Sequence, residues 1–319
     1  MSALALSVLL SLVSAVAYAG GAIVQERVAQ TSPESAYAPL RRPAWWGAGC
    51  LNGLGALLHV IALAFGPLSL VQPLGALTIV LALPMAALLV GRRAGATAWR
   101  GAIMATVGLA GLLALTGSAS EDSLNGTERL LVGLITAGGV LVLMTSARAA
   151  HRHPVVRAVL LAVAAGGAFG MASVFTKSVT VDWSGDPWTQ LTSLLAIAAL
   201  ATAGMLLSQA SYRGAGLAAP LATATVVNPV VAAAVGLTLF GESFRYGTIG
   251  TALALGCGVV AAGGLILLTT ERIGRDRGAR VIAQNSAQDA PEVPDTPAGL
   301  DGMPGQPKPP SDAPVENVG

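Results

Sequence analysis

The chain has 319 residues, 54% of them hydrophobic and 11% charged, with a net charge of +2 and a mean hydropathy of +0.68. Soluble domains carry about 25% charged residues, so water is not the main solvent of this chain. A charge so small and dispersed gives nucleic acid no footing as a partner.

A hydrocarbon core about 30 Å thick is crossed by roughly 20 apolar residues of helix, at about 1.5 Å per residue. In chain order such runs occupy residues 3–24, 45–65, 69–90, 101–117, 130–147, 155–176, 191–211, 217–240 and 246–268. An all-α, polytopic membrane bundle of about nine transmembrane helices is therefore expected. The second and third spans share an uncharged run, residues 45–90, broken only at Gly66-Pro67; it is about twice one crossing long and must turn back. Ala17-Tyr18-Ala19 resembles a signal-peptide cleavage site, but no Lys or Arg precedes it, so the first span is expected to be retained. Cys50 and Cys257 both lie inside apolar stretches and read as small hydrophobes rather than as a disulfide or a metal pair.

Lys and Arg are retained on the cytoplasmic side of short loops. Arg27, Arg41 and Arg42, then Arg92, Arg93 and Arg100, then Arg148, Arg152 and Arg157, then Arg213, and finally Arg272, Arg275, Arg277 and Arg280 all fall on one side of the predicted spans. The other side holds Arg129, Lys177 and Arg245, with the acidic Glu121, Asp122, Glu128, Asp182 and Asp186. A multi-pass protein of the cytoplasmic (inner) cell membrane is expected, with its N-terminus outside and its C-terminus in the cytoplasm. Residues 284–319, rich in Pro, Asp, Gly and Ala, cannot bury enough apolar surface to fold. The basic run before them is expected to lie against anionic headgroups.

The two halves resemble each other in order. Tyr18-Ala19-Gly20-Gly21-Ala22-Ile23-Val24-Gln25-Glu26 parallels Phe169-Gly170-Met171-Ala172-Ser173-Val174-Phe175-Thr176-Lys177. Leu70-Val71-Gln72-Pro73-Leu74 parallels Leu217-Ala218-Ala219-Pro220-Leu221, and a second proline follows in each, Pro84 and Pro229. The expected division is a first repeat over residues 1–127, a linking helix over 128–150, a second repeat over 151–270, and a basic segment with a Pro-rich tail over 271–319. One linking crossing inverts the second copy, a 4+1+4 inverted repeat of the kind secondary transporters use. Prolines in matched helices either free backbone carbonyls toward a cavity or kink the helices for packing.

Trp45-Trp46-Gly47, the stretch from Ala64-Phe65-Gly66-Pro67 through Gln72-Pro73-Leu74-Gly75-Ala76-Leu77, and Leu239-Phe240-Gly241-Glu242 resemble the drug/metabolite transporter (EamA-like) superfamily, most of all its NIPA-like branch and bacterial proteins near it. The resemblance runs over residues 1–270 and implies an alternating-access carrier, with magnesium the substrate associated with NIPA proteins. The sequence departs from that pattern at Gln25-Glu26-Arg27, where a lysine cluster is usual, and at Gly91-Arg92-Arg93, which lacks an acidic residue.

Polar side chains inside the spans are few, and each costs free energy unless it faces protein or water. Candidates for a substrate pathway are Gln25 and Glu26; Asn52 and His59, seven apart on one helix face; Gln72 and Thr78 around Pro73; Gln209 and Tyr212; Pro220; and Thr223, Thr225 and Asn228 beside Pro229. Each also has an ordinary reading. Asn52 and His59 can hydrogen-bond between helices, and Glu26 can snorkel or pair with Arg27. With no Asp or Glu mid-span, a stripped divalent ion has little to bind, whereas Asn, Gln, Thr and Tyr suit a neutral or weakly charged metabolite or drug. The functions in play are carriage of a cation such as Mg2+, export or import of a small metabolite, and a nontransporting scaffold or lipid-handling role. An enzyme is not expected, because no phosphate loop, metal spacing or nucleophile elbow is visible. No cofactor is implied, the lipid bilayer and a small solute are the expected partners, and a homodimer is compatible with this reading.

Overall fold

The computed structural model describes residues 2–32, 38–65, 71, 74–91, 94–116, 126–181, 187–239 and 243–288. Among these lie nine α-helices: α1 (Ala3–Thr31), α2 (Pro43–Phe65), α3 (Thr78–Val90), α4 (Ala96–Leu115), α5 (Gly126–Ala149), α6 (Pro154–Val181), α7 (Pro187–Ser211), α8 (Ala218–Leu239) and α9 (Gly247–Gln288). Eight of them are long and apolar enough to cross a membrane; the apolar helix containing α3, Leu74–Val90, is shorter. The expected start of that third span, with the candidate residues Gln72 and Pro73, lies outside the described residues, as do Arg92, Arg93 and Glu242. The chain divides into a compact unit, Met1–Arg277, and a second, Gly278–Gly319, whose described residues, 278–288, are helical.

Local chemistry sets the helix ends. Pro43, Pro154 and Pro187 each open a helix, where a missing N–H costs nothing because the first-turn donors have no intrahelical partner. Ser2 caps α1 by accepting from the Ala5 N–H at 3.2 Å. Gly91 closes α3 in the left-handed region, with φ of 71°. Gly214 and Gly216, with φ of 73° and 72°, shape the connection between α7 and α8. Pro84 and Pro229 are interior to α3 and α8, as the matched spacing requires. Pro220 differs from the expectation of a mid-span break: it stands in the first turn of α8, so it starts that helix rather than interrupting it.

α1 packs along α2 and α3, and α6 packs along α7 and α8. The contacts recur in detail. A Cβ at Gly55 of α2 would lie 3.1 Å from the Tyr18 ring, and one at Gly204 of α7 would lie 2.8 Å from the Phe169 ring. Tyr18 and Phe169 are opposite each other in the alignment of the halves. α1 and α2 run antiparallel, joined by Ser7 and Ser14, whose hydroxyls donate to the carbonyls of Ala62 at 2.9 Å and Gly55 at 2.7 Å. These bonds let two buried hydroxyls sit inside an apolar seam.

α4 and α9 also run antiparallel, at backbone distance. Gly101 abuts Gly264 and Leu268, and Gly108 abuts Cys257 and Ala261. At one end of this pair the Arg245 N–H donates to the Leu115 carbonyl at 2.8 Å, and at the other the Gly95 N–H donates to Glu271 Oε1 at 3.2 Å. Small residues permit this approach, which is how helices gain van der Waals contact when lipid supplies no hydrophobic drive between them. A core of Ala76, Ile79, Ala105, Leu109, Ala222 and Ala261 joins α3, α4, α8 and α9.

Outward faces are apolar: Leu88 is 85% exposed, Val259 72% and Ile135 65%. Such surface in water would be an aggregation hazard, and the spans instead place it in lipid. Over its most apolar stretch α6 is 67% buried and α5 11%, so α6 is central and α5 peripheral.

Candidate functional site

At one end of the bundle a cavity of about 530 Å³ opens between the last turns of α1, α3 and the membrane part of α9, the first turns of α4 and α8, and the residues 214–217 that precede α8. Its described lining is mostly small and apolar, with three polar side chains, Glu26, Gln30 and Glu271. The long α1 carries Glu26 to the cavity wall, where the residue is 2% exposed and its carboxylate accepts from the Gln30 amide one turn later. Glu271 follows the last apolar run and caps the N-terminus of α4 through the Gly95 N–H, a place where the helix dipole favours an anion.

Beside Glu26 lies Tyr212, wholly buried just after α7. Burial, aided by the nearby Glu26 charge and opposed by a hydrogen bond with Ser208, pushes its hydroxyl up to about 12. It is therefore a neutral hydroxyl at physiological pH. Gln209, one turn earlier, donates from Nε2 to the Gln25 carbonyl at 2.9 Å, which ties α7 to α1. In this contact Gln25 Nε2 and Gln209 Oε1 are buried without a hydrogen-bond partner.

The structure thus gathers Gln25, Glu26, Gln209 and Tyr212 at the cavity end, with Pro220 beside the lining residue Ala219. Thr223 is buried on the next turn and donates to the Ala219 carbonyl at 2.8 Å. Other candidates lie elsewhere. Asn52 packs its amide against Gly21, where a Cβ would fall 2.7 Å from Oδ1. His59 lies against Gly75, whose carbonyl accepts from the Thr78 hydroxyl at 2.7 Å. At about 1.5 Å per residue of α1, Asn52 at Gly21 is about 8 Å from the level of Glu26, whereas His59, facing the stretch between Ser7 and Ser14, is more than about 20 Å away. Thr225 and Asn228 are half-buried on α8 and do not line the cavity. Sequence reasoning missed Gln30 and Glu271. The signal for Glu271 was its place directly after the ninth apolar run, which reads equally as the start of a solvated tail.

Among the described residues no three His, Cys, Asp or Glu side chains come together as a metal cluster. Two carboxylates and an amide are too few to replace the octahedral shell of Mg2+. The volume accommodates an ion with its water, or a small organic molecule, whose usual pockets are roughly 300–1,000 Å³ and mainly apolar.

No protein-family profile matches the chain. It is 28% identical over 263 residues to an uncharacterized protein of Corynebacterium glutamicum, an alignment that covers 75% of this chain and 86% of that one. No solved structure matches it.

Proposed function

We propose that this membrane protein is a secondary carrier of the drug/metabolite transporter type, built as an inverted 4+1+4 repeat, that moves a small solute by alternating access. The substrate class we favour is a cation, Mg2+ among them. The carrying observation is a cavity at one end of a membrane bundle walled by helices of both halves, with two carboxylates in its lining, Glu26 on α1 and Glu271 just past the second repeat on α9. With the N-terminus outside, this cavity faces the cytoplasm. A divalent cation entering across about 100 mV gains about 4.6 kcal/mol, twice the single-charge figure, so uptake needs no second ion. The apolar share of the lining, Leu83, Val90 and Leu268, supports a small weakly charged metabolite as the second reading.

Purified protein in liposomes, assayed for Mg2+ uptake under an inside-negative potential, tests the cation. Uptake above protein-free vesicles that falls at least tenfold in Glu26→Gln is expected. Uptake equal to empty vesicles removes the cation, and unchanged uptake in Glu26→Gln removes this site.

A further inference from the structure

We infer that α4 and α9 form a fixed strut of this carrier, and that the contact between α1 and α7 is the one that opens. The inference rests on the carrier reading and adds which helices move. Carriers of this class alternate by rocking one helix group against another, so some contacts between halves must persist while others break.

The two kinds of contact differ physically. Along α4 and α9 the backbones touch over three turns: a Cβ at Gly264 would lie 2.4 Å from the Ala105 nitrogen, and one at Gly108 2.4 Å from the Ala261 nitrogen. Sliding or turning either helix by one residue would drive Ala or Leu side chains into that space. Both ends are pinned as well, by Gly95 to Glu271 and by Arg245 to Leu115. Packed interfaces of this kind have discrete arrangements and do not deform smoothly.

Between α1 and α7 Gln209 donates a hydrogen bond to the Gln25 carbonyl, and that contact leaves Gln25 Nε2 and Gln209 Oε1 buried without partners. Opening that contact exchanges one bond for hydration of both amides, so separation loses little. Gln25 adjoins the cavity-lining Glu26 in sequence, and Gln209 lies one turn before Tyr212, whose hydroxyl feels the Glu26 charge. Water or solute reaching the amides from the cavity compensates the broken bond.

The native Cys257 provides the test. A Cβ at Gly111 would stand 3.5 Å from the Cys257 Cβ, within the range of disulfides, roughly 3.5–4.5 Å. Gly111→Cys in a Cys50→Ser background is oxidised in liposomes, and bridging is read as loss of free thiols after denaturation. Mg2+ uptake is then compared before and after reduction. In a parallel protein that also carries Gln209→Cys, labelling by a water-soluble maleimide reports opening without reference to any substrate. Gln209 is 4% exposed, so a static contact would leave that position unreactive.

Bridging is expected to change uptake by less than twofold and to leave the rate of labelling at position 209 unchanged. A bridge that stops labelling, or that abolishes uptake until it is reduced, overturns the strut. Failure of the bridge to form overturns the seam itself. Labelling that proceeds through the bridge while the reduced protein carries no Mg2+ upholds the strut and sinks only the proposed substrate.

Discussion

Gly108→Ala should destabilise the protein although alanine is the better helix former. The added Cβ would stand 2.4 Å from the Ala261 nitrogen and 2.6 Å from the Cys257 carbonyl oxygen, where ordinary contact begins near 3.4 Å. Both neighbours are backbone, so neither can rotate away, and α4 and α9 must part by about 1 Å at this level. Overpacking of a well-packed core costs about 1–3 kcal/mol. Against it stands the helix-propensity gain of alanine over glycine, about 0.8–1.0 kcal/mol. The net expectation is a loss of up to about 2 kcal/mol. Gly139→Ala on α5 is the control, because a Cβ there meets nothing within 4 Å and only the propensity gain remains. Unfolding in detergent micelles, followed by the fluorescence of the five tryptophans, should rank Gly139→Ala at or above wild type and Gly108→Ala below it. A Gly108→Ala protein as stable as the control would refute the reasoning, since the seam would then not be at backbone contact.

Ser14→Ala should lose about 0.6 kcal/mol, the average for an interhelical bond in a membrane, by removing its donation to Gly55; unchanged unfolding would show that the α1–α2 seam does not use it. Glu271→Gln keeps an acceptor but removes the charge at the N-terminus of α4, and unfolding at low salt should fall by about 0.3–1 kcal/mol, the difference shrinking at high salt. Tyr212 supplies a pH dependence. Its folded-state value of about 12 lies above the ordinary tyrosine value of 10.0, so the stability it confers is complete below pH 10 and is lost as pH rises through 12. The melting temperature of Tyr212→Phe should therefore fall less steeply than that of wild type across that window; parallel curves would contradict a buried hydroxyl.

Eight of the nine expected spans, and their order, were legible in the sequence because hydrocarbon is an exacting solvent; their lengths were not, since α1 and α6 run past the apolar runs that announced them. Any stretch of about 20 residues without charge must cross or be buried, and Pro43, Pro154 and Pro187 mark where crossings begin. The pairing of Tyr18 with Phe169, read from the internal alignment, also places both rings in the same kind of contact, each against a glycine of the following helix. What the chain did not declare was rotation about each helix axis. In a soluble helix the apolar stripe names the buried face, but here lipid-facing and protein-facing surfaces are both apolar, and polarity carries no directional information. Tertiary packing alone therefore decided that Gln209 meets Gln25 across 184 residues, that Glu271 belongs to the cavity rather than to the tail, and that Gly101, Gly108 and Gly264 form a seam. Those pairings depend on small side chains meeting small side chains across space, and a linear sequence records their size but not their partners.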